Sequence, residues 1–376
     1  MQSKNKPLYL VIMEDLRTKI LNGEFKPDQQ LPTEVELAEQ SGVSRITSKR
    51  ALIELEREGL IYRKRGSGSY VKKQEKDNIL PEFTAMNSNP NPIISMILPY
   101  SSTNELEYIQ GASDYLDSKG YYLSIHYSNW DKNKEKELLL RVPKIGSRGI
   151  ILYPMSTMIN IDILNALYWN NYPMVMIDQY IESLPVTSVV SDNLDGGYLA
   201  TRKLIELEHK RIAFVSSISI EYRSSVRDRY QGYCKALRDH DIPVDPELII
   251  TDFYEEADKH QDSNEFYKSM VSHLLNIGVT AIQAEHDHLA VDLLRSAIDM
   301  GVRIPEQLSI IGFDDHMISR LVEVPITTIS QDCNEIGRRA AELIVQQIEG
   351  TNVQTQQVII PVHLVERNST VQPLIV

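Results

Sequence analysis

Between residues 33 and 71 the chain gathers groups suited to gripping a polyanion: Arg45, Lys49 and Arg50, then Arg63, Lys64 and Arg65 directly before Gly66, Ser67 and Gly68. A guanidinium can pair bidentately with the acceptor edge of guanine, and the methyl of Thr47 can rest against thymine. Glycines let backbone N–H groups come close to phosphate oxygens. A second chemistry lies beyond residue 92, immediately after short apolar runs. Leu98 is followed by Pro99, Tyr100 and Ser101, Leu152 by Tyr153 and Pro154, Ile177 by Asp178 and Gln179, and Phe313 by Asp314 and Asp315. Carboxylates accept paired hydrogen bonds from vicinal hydroxyls, and a tyrosine face covers the apolar C–H side of a sugar ring, so these residues suit a carbohydrate.

The elements that must carry the first set are legible in order. Thr33 and Glu36 have the spacing of a capping box, which starts a helix at Glu34 and carries Val35, Leu37 and Ala38 before Gln40, Ser41 and Gly42 turn the chain. Ser44 is placed to cap the next helix. There Ala51, Leu52 and Leu55 share a face, turning Ile46, Lys49, Arg50 and Ile53 outward and leaving Arg45 and Thr47 at the positively polarised N-terminus. Leu60, Ile61 and Tyr62 read as a strand, residues 63–69 as a hairpin tip, and Tyr70 and Val71 as the return. Leu8, Ile12, Leu16 and Ile20 recur at steps of four, so an amphipathic helix opens the chain, ends near Asn22 and Gly23, and packs beneath the second of the capped helices. Helix, turn, basic-faced helix and glycine-tipped hairpin make a winged helix-turn-helix domain that sits on duplex DNA.

Charge divides the chain in the same way. The first 76 residues hold 15 Lys and Arg against 11 Asp and Glu, whereas the remainder holds 24 against 41, so the net charge of −13 belongs to the rest of the chain. An acidic body repelled from the duplex and a basic reader attracted to it follow from that asymmetry. Residues 72–92 lose periodicity and gather Lys, Asn, Ser and Pro, which marks a linker. Boundaries are set at 1–73 for the reader, 74–92 for the linker and 93–376 for the acidic domain.

Beyond the linker, apolar strands at 93–98, 121–126, 149–153, 174–177, 212–215, 280–284 and 308–313 alternate with helical stretches at 105–118, 135–142, 197–207, 227–238 and 289–300. Alternation of this kind gives α/β architecture, parallel sheets flanked by helices, and the length implies two lobes with a cleft between them. Ligands in such sheets bind beyond the carboxyl ends of the strands, where the tyrosines and carboxylates named above stand. Cys234 and Cys333 lack metal-ligand spacing and read as reduced thiols of a cytoplasmic protein. Glu14, Asp15 and Arg17 interrupt the first apolar run, so neither an export signal nor a membrane span is expected. No P-loop, nucleophile elbow or H-E-x-x-H motif occurs; His286 and His288 diverge on a helix start, and Asp314 and Asp315 point to opposite sides of an extended segment. Catalysis, metal and cofactor are therefore not expected.

Residues 31–61, "LPTEVELAEQSGVSRITSKRALIELEREGLI", with "RGSGSYV" after them, resemble the winged helix of the GntR family. The resemblance implies that Arg45, Thr47 and Lys49 meet bases or nearby phosphates, Thr33 and Arg50 the DNA backbone, and Gly66 to Gly68 the wing contact, with Ser44 and Arg65 beside them. Lys49 stands where the family often has arginine, and Ser48 where it often has an aliphatic core residue. From Ile93 onward, "VVSDNLDGGYLATRKLIELEHKRIAFV", "TAIQAEHDHLAVDLLRSAIDMGVRIPEQLSIIGFDDHMIS" and "VPITTISQDCNEIGRRAAELIVQQIEG" resemble the LacI/GalR effector domain, which shares its fold with periplasmic sugar-binding proteins. By that likeness Asp178, Arg229, Asp314 and Gln331 hydrogen-bond the ligand, Asp287 caps a helix beginning at His288, His286 replaces the family's asparagine, and Tyr100 and Tyr153 line the other lobe. The pairing of the two domains resembles the arabinose-operon class of bacterial repressors. It implies a homodimer on pseudo-palindromic operator DNA, released by a small sugar such as L-arabinose or a similar pentose or hexose. Two alternatives stay open on the sequence: a phosphosugar or corepressor that tightens DNA binding, and a sugar-binding module without DNA function.

Overall fold

The computed structural model describes residues 8–21, 24–57, 60–64, 67–72, 92–100, 103–259, 263–351 and 354–373. Contacts divide the chain into two units, Met1–Ile79 and Leu80–Val376. In the first, α1 (Leu8–Leu21) and α2 (Glu34–Ser41) pack with α3 (Arg45–Arg57), followed by a hairpin of β1 (Ile61–Lys64) and β2 (Gly68–Val71). The capping box forms as its residues dictate: Glu36 N donates to Thr33 Oγ1, and Thr33 N donates back to Glu36 Oε2 at 2.8 Å. Gly42 ends α2 in the left-handed conformation that a side chain would strain. Ile12, Leu16 and Ile20 of α1 meet Leu37, Ala51, Leu52 and Leu55 in one core. Ser48, also fully buried, donates to Glu34 O at 2.6 Å and so satisfies its hydroxyl while fixing the start of α3 on the start of α2.

The hairpin tip is shorter than residues 63–69. Arg63 pairs with Ser69 and Lys64 with Gly68, so all four belong to strands. Two contacts extend the pairing: Tyr62 stacks on Tyr70 with Lys64 lying over both rings, and Gln30 bridges to Tyr70 from the other side. The expected helix end at Asn22 and Gly23, the linker at 74–91, and Arg65 and Gly66 lie outside the described residues.

The second unit begins with β3 (Ile93–Leu98), α4 (Thr103–Ser118), β4 (Tyr122–Tyr127), α5 (Lys132–Lys144), β5 (Ile150–Leu152), α6 (Ile161–Trp169), β6 (Met174–Ile177) and β7 (Thr187–Ser191). It continues with α7 (Asn193–Glu206), β8 (Ile212–Val215), α8 (Ser224–Asp239), β9 (Ile249–Ile250), α9 (Tyr254–Lys259), α10 (Ser263–Asn276), β10 (Ala281–Ala284), α11 (Asp287–Asp299), β11 (Ser309–Asp314) and β12 (Thr327–Ser330). It ends with α12 (Cys333–Glu349), β13 (Gln357–Ile360) and β14 (His363–Val365). Two sheets result, ordered β13-β7-β6-β5-β3-β4 and β14-β12-β11-β10-β8-β9. Their ladders are parallel except where β14 meets β12. Both faces are covered: on β3, Ile94, Met96 and Leu98 enter one core and Ile97 the opposite one.

Position for position the sheets match, and the chain crosses between them three times, at 191–193, 330–333 and 360–363. Asp192 and Asp332 stand on the first two crossings. Each caps the helix that the crossing delivers, through Asp195 N and Glu335 N at 2.9 Å. Those helices settle against a partner by the same device in both lobes. Gly111 and Gly337 bring α4 onto α12, and Gly197 and Gly232 bring α7 onto α8, so closely that a Cβ on Gly197 would lie 2.1 Å from Arg229 O. Substituting Gly197→Ala is expected to destabilise the unit by about 1 to 3 kcal/mol through overpacking, read as a lower melting temperature by circular dichroism.

Candidate functional site

On the first unit, α3 presents Arg45, Ile46, Lys49 and Arg50 to solvent, as the burial of Ala51, Leu52 and Leu55 requires. Ser44 Oγ accepts from Thr47 N and also meets Thr47 Oγ1 at 2.9 Å, so the helix start is capped and Thr47 is held there. Glu34, absent from the sequence-based set, ties two cations together: it accepts from Arg63 at 2.6 Å and from Arg45 at 3.3 Å. Burial raises the Glu34 pKa, but the two arginines outweigh it and the net shift is downward. Arg50 lies 4.1 Å over the Tyr9 ring of α1. At the wing, Gln30 Nε2 donates to Ser67 O, Ser67 Oγ meets Tyr70 OH at 2.6 Å, and Gly68 has a φ of 117°. Thr33 is spent on its capping box. The result is a basic face on which Glu34 ties Arg45 and Arg63, Arg50 lies over Tyr9, and Lys49 is exposed.

In the second unit a cavity of about 850 Å³ opens where the carboxyl ends of the two sheets face each other. Tyr100, Tyr153 and Asp178 reach it from the first lobe; Arg229, His286 and Asp314 reach it from the second, and Gln331 from a crossing. Arg229 is 6% exposed, and each of its three nitrogens has one partner. Its Nε donates to Asn193 Oδ1 at 2.8 Å, Nη1 to Glu285 O at 2.6 Å and Nη2 to Asp314 Oδ1 at 3.4 Å, while the guanidinium lies 3.6 Å from the Phe313 ring centroid. Gln331 Nε2 donates to the same Asp314 oxygen at 2.6 Å, and Gln331 Oε1 accepts from Ser191 Oγ, which joins two crossings to the cavity wall. Burial pushes the Asp314 carboxyl upward against the pull of Arg229, and the charge of Asp178 adds to the rise.

Seven of the eight expected effector residues therefore converge on one cavity, and Asp287 does not. The expectation that it caps a helix starting at His288 is corrected as well. The helix starts at Asp287, and the cap is His286, whose Nδ1 accepts from Leu289 N at 3.0 Å. Its Nε2 lies 3.5 Å from Glu285 Oε1. Asp287 turns inward instead, fully buried, accepting from Thr328 Oγ1 at 2.6 Å and His316 N at 2.7 Å. Burial first, then the charge of Asp314, drives its pKa well above the ordinary carboxylate range. Gly312 leaves the room it needs, since a Cβ there would stand 2.0 Å from Asp287 Oδ1.

The wall also holds residues that sequence reasoning missed. Trp130 stacks on Tyr100 at 5.0 Å, and the Arg223 guanidinium sits 4.5 Å from the Trp130 centroid, so a residue preceding α8 in one lobe lies on aromatics of the other. Gln179, which the sequence places beside Asp178, is fully buried behind the wall and completes the seam: its Oε1 accepts from Ser224 N at 2.9 Å and its Nε2 donates to Ser225 Oγ. His288 and His316 pack at 4.4 Å, and burial lowers the His316 pKa. Only the strand-end position of Trp130, three residues past Tyr127, could have flagged it. Among the described residues no cluster of His, Cys, Asp and Glu suits a metal ion, and no helix is long and apolar enough to cross a membrane.

Residues 8–71 match the family described as bacterial regulatory proteins, gntR family, and residues 201–370 match a periplasmic binding protein-like domain. An arabinose metabolism transcriptional repressor from Geobacillus stearothermophilus is 32% identical over 376 residues, covering 98% of this chain and 99% of that protein. Among solved structures, the transcription regulator CcpA of Lactococcus lactis superimposes with a TM-score of 0.66 at 25% identity, covering 74% of this chain and 98% of that one. A LacI family transcriptional regulator from Enterococcus faecium with bound ribose gives 0.62 at 25% identity, covering 74% and 99%.

Because Asp287 braces the cavity wall without facing the cavity, Asp287→Ala should act on stability. Stranding the Thr328 hydroxyl and His316 N–H costs about 2 to 4 kcal/mol, measured by urea unfolding.

Proposed function

Since the chain belongs to the GntR-type transcription regulators with a periplasmic-binding-protein-like domain, the family of the arabinose metabolism transcriptional repressors, we propose that it represses carbohydrate-utilisation genes and leaves its operator when a sugar enters the inter-lobe cavity. The observation that carries this reading is the convergence of Tyr100, Asp178, Arg229, Asp314 and Gln331 on a single cavity, in a chain whose other unit carries an exposed basic helix. Asp178 and Asp314 accept from hydroxyls, Arg229 donates, and the tyrosines cover apolar ring faces. Ribose in the related Enterococcus faecium regulator supports the same class of ligand.

The coupling route starts at Asp314. A sugar hydroxyl that bonds this carboxylate competes with Gln331 for it. Gln331 in turn holds Ser191, so ligand binding alters the hydrogen bonds at two of the three crossings and the angle between lobes follows. Two such chains, joined as a homodimer through their effector units, would set two reading helices at a fixed half-site spacing, and a change of lobe angle would spoil that spacing. The ligand shifts the equilibrium only by its differential affinity for the released state, about 1 to 3 kcal/mol in comparable systems.

A second sense of regulation, tightening by a phosphosugar, meets an unfavourable field: among the residues that line the cavity, carboxylates outnumber Arg and Lys by seven to three.

Fluorescence anisotropy on operator DNA tests the reading. Arg45→Ala should weaken binding by about 1 to 3 kcal/mol, the value of one bidentate base contact, and the wild-type affinity should fall steeply with salt. Adding the inducing sugar should release the DNA, and Asp314→Ala should abolish that release while leaving operator affinity near wild type. Salt-independent binding, or release that survives loss of Asp314, overturns the assignment.

A further inference from the structure

The cavity is longer than its inner cluster. Asp178 follows β6 and Asp314 ends β11, and these are equivalent strands of the two sheets. Three strands further from them, Trp130 follows β4 and Asp252 follows β9, the equivalent edge strands, and both residues line the same cavity. Neighbouring strands lie about 4.8 Å apart, so the inner and outer pairs are separated by roughly 14 Å. A single sugar ring spans little more than one such spacing. At about 30 Å³ per water, the cavity's 850 Å³ corresponds to roughly 28 waters, so one sugar ring leaves most of it unfilled.

Backbone strain marks both pairs. Asp178, Asp314, Trp130 and Asp252 all have positive φ, at 64°, 107°, 57° and 64°. Left-handed backbone is unfavourable for a residue as bulky as tryptophan, and such conformations gather where a ligand is clamped. Trp130 is 43% exposed and Tyr254, which also lines this end, is 62% exposed. Exposed aromatics in an otherwise acidic wall match the alternating apolar and hydroxyl faces of a sugar chain.

Resting on the reading of this cavity as a sugar site, we propose that the cleft holds two subsites and that its ligand is an unphosphorylated oligosaccharide of at least two units. The inner unit takes Asp178, Arg229 and Asp314. The outer unit takes Asp252, the ring of Tyr254 and the exposed edge of Trp130, whose faces are held by Tyr100 and Arg223. Phosphate is disfavoured by the charge of the wall: Arg229 already pairs with Asp314, Lys259 sits 3.7 Å from Glu255, and seven carboxylates line the cavity against three Arg and Lys.

Titration calorimetry on the full chain decides the matter, with L-arabinose, D-xylose and D-glucose set against arabinobiose, xylobiose, cellobiose and D-glucose 6-phosphate. At least one disaccharide should bind about tenfold or more tighter than its own monosaccharide. In Tyr254→Ala and Asp252→Asn that ratio should move toward one; asparagine tolerates the left-handed backbone at position 252, and Tyr254 is exposed, so both variants should fold. Monosaccharide binding as tight as, or tighter than, every disaccharide overturns the outer subsite and leaves the sugar reading standing. A preference unchanged in both variants overturns the placement, and tighter binding of the 6-phosphate than of glucose overturns the charge argument. Binding of no sugar of either size sinks the sugar reading together with this proposal.

Discussion

A guanidinium that loses its water must find its partners in the fold, and Arg229 shows what that requirement organises. Its donors reach the first residue of α7, the backbone just past β10 and the carboxylate at the end of β11, and Phe313 lies against its face. Four elements of one lobe are thereby fixed relative to each other at the rim of the cavity. Gly197 and Gly232 belong to the same constraint, since α8 can deliver Arg229 to that point only if α7 lies almost backbone to backbone against it. A carboxylate held in a strained left-handed residue, Asp314, is stable there because a committed cation stands beside it.

From Asp314 the interactions run outward in two directions. Gln331 and Ser191 carry them to the crossings, and Asp287, Thr328 and His316 carry them beneath the wall. Asp287 belongs to the second direction and is a brace. A buried carboxyl with two donors stiffens the loop bearing Asp314, Asp315 and His316. Across the cleft, Gln179 bonds the opposite lobe through Ser224 and Ser225, and Arg223 lies on Trp130. The lobes are therefore held by specific polar contacts that can be exchanged for ligand contacts, which is the physical condition for a small molecule to move an equilibrium between lobe angles.

Local pattern carried much of this architecture into the sequence. The capping box, the cap of α3 by Ser44 and the buried Ala51, Leu52 and Leu55 need only short-range rules, and the fully apolar strands β3, β6 and β8 stand out as runs. Strands such as β7, "TSVVS", and β12, "TTIS", did not stand out, because their serines and threonines are buried by hydrogen bonds that only the folded lobe supplies. α12 was missed for a related reason: its small residues pack against α4, and periodicity does not reveal which helix faces which. Asp287 misled by position. A carboxylate at a helix start looks like a cap, yet here the preceding histidine supplies the cap and the buried neighbours claim the acid. Trp130, Asp252 and Tyr254 carry no motif, and their relation appears only once equivalent edge strands of two sheets are brought face to face.

The reading unit applies the same economy of fixed and free charge. Glu34 neutralises part of a surface whose task is to attract phosphate, which lowers the general field but holds Arg45 and Arg63 in defined directions. Lys49, one turn along α3, is exposed and has no such partner among the described residues, while Arg50 is steadied over Tyr9. A fixed guanidinium loses less freedom when it meets a base edge, and a mobile ammonium follows the phosphate backbone whatever its sequence. Arg45 and Lys49 are thus suited to different kinds of contact from one helix. A regulator that must leave its site on a modest signal benefits from that division, because a ligand-driven change need only misplace the fixed contact, while the unspecific attraction keeps the protein near DNA.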